Sequence, residues 1–467
     1  MGDATARGHG KTADGEYTAG DGGTVGQAGQ PRRATVAPLG HTVEGSVSVP
    51  GSKSLTNRAI FLAMAARGAS TLHRPLESDD TTFGLAAAKA LGCRVHTFDG
   101  GVTIEGIGSR RPIDGGTIHV GSAGTVARFL PCFLAFGRAG EWHLHSSEQM
   151  ARRPMDGLLD ALMPFAGAVM PTQETGRYPL LVRGQATAGG AEPVDIAVDA
   201  SVSSQYLSGI LISSPLLERR VGIRTTGGIV QSAYVEMTVD YMRRFGADVE
   251  ADVDSGAFTV SPRPYEPATI DIEADASTAS YFAALPAVCG GSIFLPGLER
   301  HTRQPDVRFL AILEEYGCRV RWDHRGATVA RPAELQRLRG GRTFDLNDCS
   351  DIALTVAALA VYADAPTRIG GVEHIRRHES DRIVALAQAM DALGLRVETH
   401  RDGWTIWPGA PRAANISTYD DHRVAMSMAV VGLGGEGVTL DYPRCVEKTC
   451  PQFYELIAGL GARVTFE

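Results

Sequence analysis

Apolar positions along this chain recur with a helical period in stretches that stop at a small residue or a glycine. The residues that follow alternate or are β-branched, as strands are. The pattern occurs in KALGCRVHTFDGGVTIEG, MPFAGAVMPTQETGRYPLLVRG, RRFGADVEADVDSGAFTVSP, EEYGCRVRWDHRGATVARP, DALGLRVETHRDGWTIWPG and AGLGARVTFE, the last cut short by the C-terminus. Gly92, Gly167, Gly246, Gly317, Gly394 and Gly461 mark the stops, roughly 70–80 residues apart, the signature of an internal repeat. Glycine after a helix takes the left-handed conformation that ends it. DGG, DSG, HRG and RDG then supply positive-φ residues for hairpin turns. Each unit therefore reads helix–strand–turn–strand. Six units predict two domains of three, each a ring of helices backed by short sheets. An ordinary α/β protein repeating helix–glycine–strand by chance would not space its units so evenly.

Several helices start on a small or polar cluster that carries a cation. Ser52-Lys53-Ser54 opens LTNRAIFLAMAARG, with Ser54 and Arg58 on one face. In GSAGTVARFL, Gly121 and Gly124 let backbone amides approach a ligand, and Arg128 follows one turn later. ARRPMDGLLDAL brings Arg152 and Arg153, with Pro154 suited to the first helical position. SVSSQYLSGIL sets Ser203, Ser204 and Gln205 at a start, and YDDHRVAMSMAV sets Asp421, His422 and Arg423. RRHESDRIVALAQAM carries Glu379, Asp381 and Arg382 ahead of the stripe Ile383, Leu386, Met390, Leu393, and VEKTCPQFYELI offers Lys448. Cations oppose the helix dipole at such an end unless an anion binds there. Taken singly, each is a solvated surface residue, a turn or an N-cap. Together, if they converge, they form a cleft for ligands bearing phosphate and carboxylate. Asp351, which begins an apolar helix, and Glu379 read by default as a cap and a dipole partner. Beside several cations, an acid serves equally as general base or acid.

Composition narrows this picture. The chain has 467 residues, 43% of them hydrophobic, too long for one core. The first forty residues are polar and glycine-rich and are expected to be a disordered tail without a secretory h-region. No run of apolar residues is long enough for a membrane span. The net charge of −8 argues against nucleic acid as a partner. Cys93, Cys132, Cys289, Cys318, Cys349, Cys445 and Cys450 are scattered, with no CxxC, and are expected to be free thiols in a reducing cytoplasm.

The motifs PGSKSLTNRA, AGTVARFL, RRPMDGLLDAL, SVSSQYLSG, EADASTASYF, NDCSDIALT, HESDR, DDHRVAM and EKTCP, from about Pro38 to Glu467, resemble in order and spacing the 5-enolpyruvylshikimate-3-phosphate (EPSP) synthase family, above all its actinobacterial members. The resemblance implies an α/β fold, a two-domain inside-out α/β barrel, each domain a threefold βαβαββ repeat. It implies a tail at 1–37, a discontinuous first domain at 38–51 and 273–467, and a second domain at 52–272. It also implies a cleft that closes on its ligands. The implied reaction transfers the enolpyruvyl group of phosphoenolpyruvate to the 5-hydroxyl of shikimate 3-phosphate, in a cytoplasmic monomer without metal or organic cofactor. By resemblance, Lys53, Gly124, Arg153, Gln205, Arg382, Arg423 and Lys448 surround phosphoenolpyruvate. Lys53, Ser54, Arg58, Ser203, Ser204, Gln205, Asp351 and His378 contact the phosphoshikimate. Asp351 is the implied base and Glu379 the proton donor, with Lys53 also catalytic.

The chain departs from the family at several of these places. The family's glycine–asparagine–alanine–glycine turn is Gly121-Ser122-Ala123-Gly124, and Phe129 replaces a proline. His378 stands for a lysine and His374 for an asparagine. Gln231 replaces the phosphate-binding serine three residues before Tyr234. Gln231 and His378 leave open an enolpyruvyl transferase acting on a different cyclic alcohol. The related UDP-N-acetylglucosamine enzyme carries a cysteine where this chain has Glu148. A non-catalytic homologue is expected to lack Asp351, Glu379 or Lys448.

Overall fold

The computed structural model describes residues 31–108, 115–137, 140–165, 168–184 and 192–467. Most of the expected tail and Gly167 lie outside them. Two hydrophobic cores form. One gathers buried side chains from Leu55 to Ile272, the other those from Ala34 to Val47 and from Ala276 to Ala462.

Six four-stranded sheets surround the cores, and all share one topology. In Gly115–His119, Glu141–His145, Ala168–Pro171 and Leu180–Arg183, the first two strands pair in parallel, the fourth pairs antiparallel with the second, and the third pairs antiparallel with the fourth at the edge. Helices Gly124–Phe136 and Asp156–Leu162 fall between the strands and complete βαβαββ. The repeat glycines end their helices as expected, with φ from 73° to 99° at Gly92, Gly246, Gly317, Gly394 and Gly461.

Two units are interrupted where the chain crosses between domains. Val43–Ser46 pairs with Gly291–Pro296 of one domain, and the chain then enters the Lys53–Ala65 helix of the other. Thr269–Asp271 pairs with Ala69–His73, and the chain then returns to the Ala276–Cys289 helix. The crossing segments hold one another: Ser52 N donates to Glu273 O at 2.8 Å, and Asp275 N to Pro50 O at 2.9 Å.

The sixth unit corrects the sequence reading at both chain ends. Val464–Phe466 has no following strand to pair with. Arg33–Val36, assigned to the tail, lies between Val438–Asp441 and Val464–Phe466 and is antiparallel to both. Ala34 and Val36 point into the core while Arg33 is exposed. Four alternating residues are too short to read as a strand when both partners lie at the far end of the chain.

An inner set of helices lies inside the sheets. Gly124–Phe136 is buried along its whole length, and so are the Lys53–Ala65 helix from Leu55 onward and all but the last residue of Ala276–Cys289. Such all-round burial marks a core helix. Pro131 inside Gly124–Phe136 cannot donate to the Ala127 carbonyl; the Tyr178 hydroxyl donates to it instead, at 2.7 Å.

A chain shortened to begin at Pro38 leaves Val438–Asp441 with one free edge and Val464–Phe466 with no partner strand. Its thermal midpoint is expected to fall by several degrees in calorimetry, whereas a chain beginning at Pro31 keeps the full value. Equal midpoints would refute this role for Arg33–Val36.

Candidate active site

The inner helices of both domains start at the interdomain cleft. Lys53–Ala65, Gly124–Phe136 and Ser204–Ser213 begin on one wall. Ala276–Cys289, the turn Ser350–Ile352 leading into Ala353–Ala360, and His422–Gly434 begin on the other. Seven cationic side chains line the cleft (Lys53, Arg58, Arg128, Arg153, Arg377, Arg382 and Arg423) against three carboxylates (Asp80, Asp351 and Glu379).

Lys53 is tolerated at a helix start because acids meet it there. Its backbone N–H donates to Asp275 Oδ2 at 3.0 Å, and the same carboxylate caps Ala276–Cys289 through Thr278 N at 2.7 Å. The Lys53 ammonium lies 4.0 Å from Asp80. Burial pushes Lys53 down and Asp80 up from their ordinary pKa values.

Glu379 sits in a nest of cations. Lys448 Nζ lies 2.8 Å from Oε1, Arg382 Nη2 2.9 Å from Oε2, and Arg153 Nη1 3.9 Å from Oε1. Burial opposes its charge, but Lys448, Arg382 and Arg153 together hold the carboxyl well below its usual range. Arg382 is itself fixed by Asp421, through Nε to Oδ2 at 2.8 Å and Nη2 to Oδ1 at 3.2 Å. Its Nη1 donates to His378 Nδ1 at 3.0 Å, so that nitrogen accepts and the ring is neutral, in agreement with burial pushing His378 down. Lys448 Nζ also donates to Ser122 O across the cleft, at 3.2 Å. A Cβ on Gly124 would stand 2.8 Å from Arg153 Nη1, so any other residue there displaces the guanidinium from its place against this helix start.

The other end of the cleft carries hydroxyls. Ser203 caps Ser204–Ser213 by accepting from Gln205 N at 3.3 Å. Arg58 donates to Thr238 Oγ1, Ser54 O and Tyr234 O at 2.8, 3.0 and 3.1 Å. Asp351 receives Arg423 Nη2 at 2.5 Å and Arg382 Nη1 at 3.4 Å. Burial opposes its charge too, yet these guanidinium groups hold it below the carboxylate range. The Tyr234 hydroxyl reaches across the cleft to Asp306 Oδ2 at 3.0 Å and Asp351 Oδ2 at 3.3 Å. Burial and the neighbouring Asp351 push Asp306 up to about 7. Gln231 Nε2 donates to Ser350 Oγ at 2.9 Å, and His374 Nε2 meets the same oxygen at 2.8 Å.

The structure brings the residues that the resemblance assigned to the two ligands to this one cleft, and all line it except Lys448, which reaches it through Glu379. Arg152 does not join them: it is exposed and pairs with Glu148 at 3.3 Å. Asp381 pairs instead with Arg376 at 2.9 Å. Some local readings change. Pro154 precedes the helix instead of starting it, because Met155 is the N-cap of Asp156–Leu162. Lys448 ends the turn Pro443–Lys448 rather than opening a helix. Asp351 and Glu379 spend their carboxylates on cations from other elements rather than on capping. Asp80, Asp306 and Tyr234 escaped notice as site residues. Asp80 looks like the acidic first turn of Asp79–Ala90, and only burial separates it from Asp79. Several buried polar atoms here have no hydrogen-bond partner among the described residues: Asp80 Oδ1, Arg128 Nε, Arg153 Nε, Gln205 Oε1 and both His422 ring nitrogens, of which Nδ1 stands 3.8 Å from Asp421 Oδ1. Such atoms are costly unless a ligand meets them.

Two inside-out barrels meeting at a cation-rich cleft define the enolpyruvyl-transferase class of fold. A sequence model of EPSP synthase (3-phosphoshikimate 1-carboxyvinyltransferase) matches residues 39–457. A 3-phosphoshikimate 1-carboxyvinyltransferase 2 of Halalkalibacterium halodurans is 41% identical over 432 residues, 92% of this chain and 95% of the relative. A 3-phosphoshikimate 1-carboxyvinyltransferase of Bordetella parapertussis is 38% identical over 442 residues, 91% of this chain and 97% of the relative. The chain belongs to the EPSP synthase family. Among solved structures, an EPSP synthase from Acinetobacter baumannii shares the fold with a TM-score of 0.76 at 22% identity, over 93% of this chain and 99% of that one. The enolpyruvyl transferase NikO from Streptomyces tendae does so with 0.72 at 17% identity, over 94% and 99%.

Asp421 is fully buried and holds Arg382, Ser380 Oγ and the Arg423 N–H. Asp421→Ala leaves a buried guanidinium without its main partner and is expected to cost about 3–5 kcal/mol of stability, read by urea unfolding. A loss below about 1 kcal/mol would contradict this account of Arg382.

Proposed function

We propose that this chain joins the enolpyruvyl group of phosphoenolpyruvate to the 5-hydroxyl of shikimate 3-phosphate and releases phosphate, a step of aromatic amino-acid biosynthesis. The observation that carries the reading is the nest of Lys448, Arg382 and Arg153 around Glu379, continuous with the hydroxyl-rich start at Ser203–Gln205 and with Asp351.

The chemistry follows from the charges. Phosphoenolpyruvate brings a phosphate and a carboxylate, which Lys53, Arg153, Arg382, Arg423 and Lys448 neutralise, with Gly124 and Gln205 against it. Ser54, Arg58, Ser203, Ser204 and His378 hold the acceptor. Asp351 takes the hydroxyl proton, C2 of phosphoenolpyruvate accepts the new C–O bond, and the methylene carbon gains a proton. The resulting intermediate loses phosphate and returns that proton. While three cations surround it, Glu379 is ionised and carries no proton to give. An incoming anion shares those cations, which raises its pKa and lets it carry the proton to the methylene carbon. Substrate binding thereby arms the acid. Face-to-face positioning of two anions inside a closed cleft supplies much of the remaining rate.

The same reading makes the enzyme a cytoplasmic monomer with no nucleic-acid partner. Cys132, Cys289, Cys318, Cys349, Cys445 and Cys450 are free thiols, and all but the half-buried Cys289 are buried, which fits a reducing compartment. No helix among the described residues is long and apolar enough to cross a membrane. A second reading, an altered cyclic alcohol as acceptor, draws support from the neutral Gln231–Ser350–His374 cluster at the hydroxyl end.

Phosphate release from phosphoenolpyruvate, measured in parallel with shikimate 3-phosphate, unphosphorylated shikimate and UDP-N-acetylglucosamine, separates these. Turnover is expected with shikimate 3-phosphate alone, falling by roughly 10²–10⁴-fold in Asp351→Ala. Turnover with a different alcohol alone would move the acceptor. Glu379→Gln is expected to keep phosphoenolpyruvate binding in calorimetry while losing turnover; equal loss of both would remove its role as acid.

A further inference from the structure

One buried acid has no part in the chemistry above. Asp306, on the turn Pro305–Val307, is buried and, among the described residues, has no cation within ion-pair distance and no hydrogen-bond partner for Oδ1. Its Oδ2 receives the Ser277 hydroxyl and the Tyr234 hydroxyl. The same Tyr234 oxygen stands within hydrogen-bond reach of Asp351 Oδ2. Tyr234 carries a single hydroxyl hydrogen, so it cannot satisfy two ionised carboxylates at once. Both contacts of the Tyr234 oxygen are satisfied when one carboxyl carries a proton: Asp306 Oδ2 donates to Tyr234 Oη, and Tyr234 donates to Asp351 Oδ2. We propose that Asp351, Tyr234 and Asp306 form a proton relay in which Asp306 is the store for the acceptor's hydroxyl proton. The inference rests on the proposed role of Asp351 as base.

Each step balances. The acceptor O–H bond breaks as its C–O bond forms, and the proton goes to Asp351 Oδ2. Asp351 passes it to Tyr234 Oη while Tyr234 passes its own proton to Asp306 Oδ2. Tyr234 stays neutral throughout, as its strongly raised pKa requires. The path reverses when phosphate leaves with the proton. The store solves a difficulty at Asp351: a carboxylate held by two guanidinium groups is too acidic to keep a proton, whereas Asp306 lacks such partners. The relay also depends on closure. Tyr234 belongs to the Ser232–Arg244 helix of one domain, and both acids belong to the other, so opening the cleft breaks the wire. Asp306 touches no substrate and acts through Tyr234, as a positioning residue for the proton.

The groups facing Asp306 set the direction of its titration. Burial, Asp351 and Asp275 raise it, while Arg423 and the Ser277 hydroxyl lower it. Cys349 is a neutral neighbour. Arg308, on the adjoining helix, turns away to Asp345 O at 2.7 Å. Asp306 must be ionised to accept, so kcat should rise with pH through the neutral range.

The test is the pH profile of kcat at saturating substrates for the unmodified enzyme, Asp306→Asn and Tyr234→Phe, the last preserving the ring's packing. The acidic limb near neutrality is expected to vanish in both variants, with kcat lower by roughly 10–100-fold. Survival of the limb in either variant, or a kcat that neither changes, overturns the relay. Infrared titration of the unliganded protein is independent of the acceptor. The C=O band of a protonated carboxyl should titrate near neutral pH, be absent in Asp306→Asn, and move to lower pH in Asp351→Asn, where the like charge is gone. If the unmodified chain fails to turn over shikimate 3-phosphate, the acceptor assignment falls and the infrared titration still decides: a missing or unmoved band overturns the relay.

Discussion

The interdomain cleft is built on a balance of buried charge. Inner helices from both domains aim their positive ends into one space, and lysines and arginines follow them there. Without carboxylates the cleft walls would repel each other. Asp275 caps a helix start on each side of the crossing, Asp421 fixes Arg382, and Glu379 draws in Lys448 and Arg153. Several of these contacts join the two domains, so the charges that await the ligands also hold the cleft shut. Anionic substrates compete for the same cations, which couples binding, closure and the acidity of Glu379 through one set of interactions.

The seams of the fold serve this cleft. Two of six repeat units are split by the crossing, and the split lies beside the site: Ser52 and Lys53 follow one crossing segment, and Asp275 and Ala276 end the other. A third seam lies where the N-terminal Arg33–Val36 takes the place of the strand that the C-terminal unit lacks. Closing these three sheets with strands from distant parts of the chain ties their units to the rest of the fold, and it holds the helix starts beside them at fixed positions.

Much of the fold was legible because its signals are local. Gly394 and Gly461 end helices by their own backbone freedom, and the alternation after them sets strands without help from elsewhere. Ser203 and Asp421 cap the helices they precede, as hydroxyl and carboxylate side chains do from sequence neighbours alone. Arg33–Val36 was not legible, because four alternating residues gain strand character only from partners more than 400 positions away.

The site divides along the same line. By itself the sequence determined which helices begin with cations and small residues, and its motifs named the family and the residues that meet in the cleft. It also marked Gln231 and His378 as departures from the family. Only the tertiary structure decided what these residues do to one another. Asp79 and Asp80 are equivalent as neighbours in a helix's first turn, and burial beside Lys53 makes one of them part of the site. Asp351 and Asp306 are both acids at the start of turns. Two guanidinium groups hold one ionised, and their absence leaves the other ready for a proton. Ionisation depends on burial and on distance to other charges, and both are properties of the assembled chain.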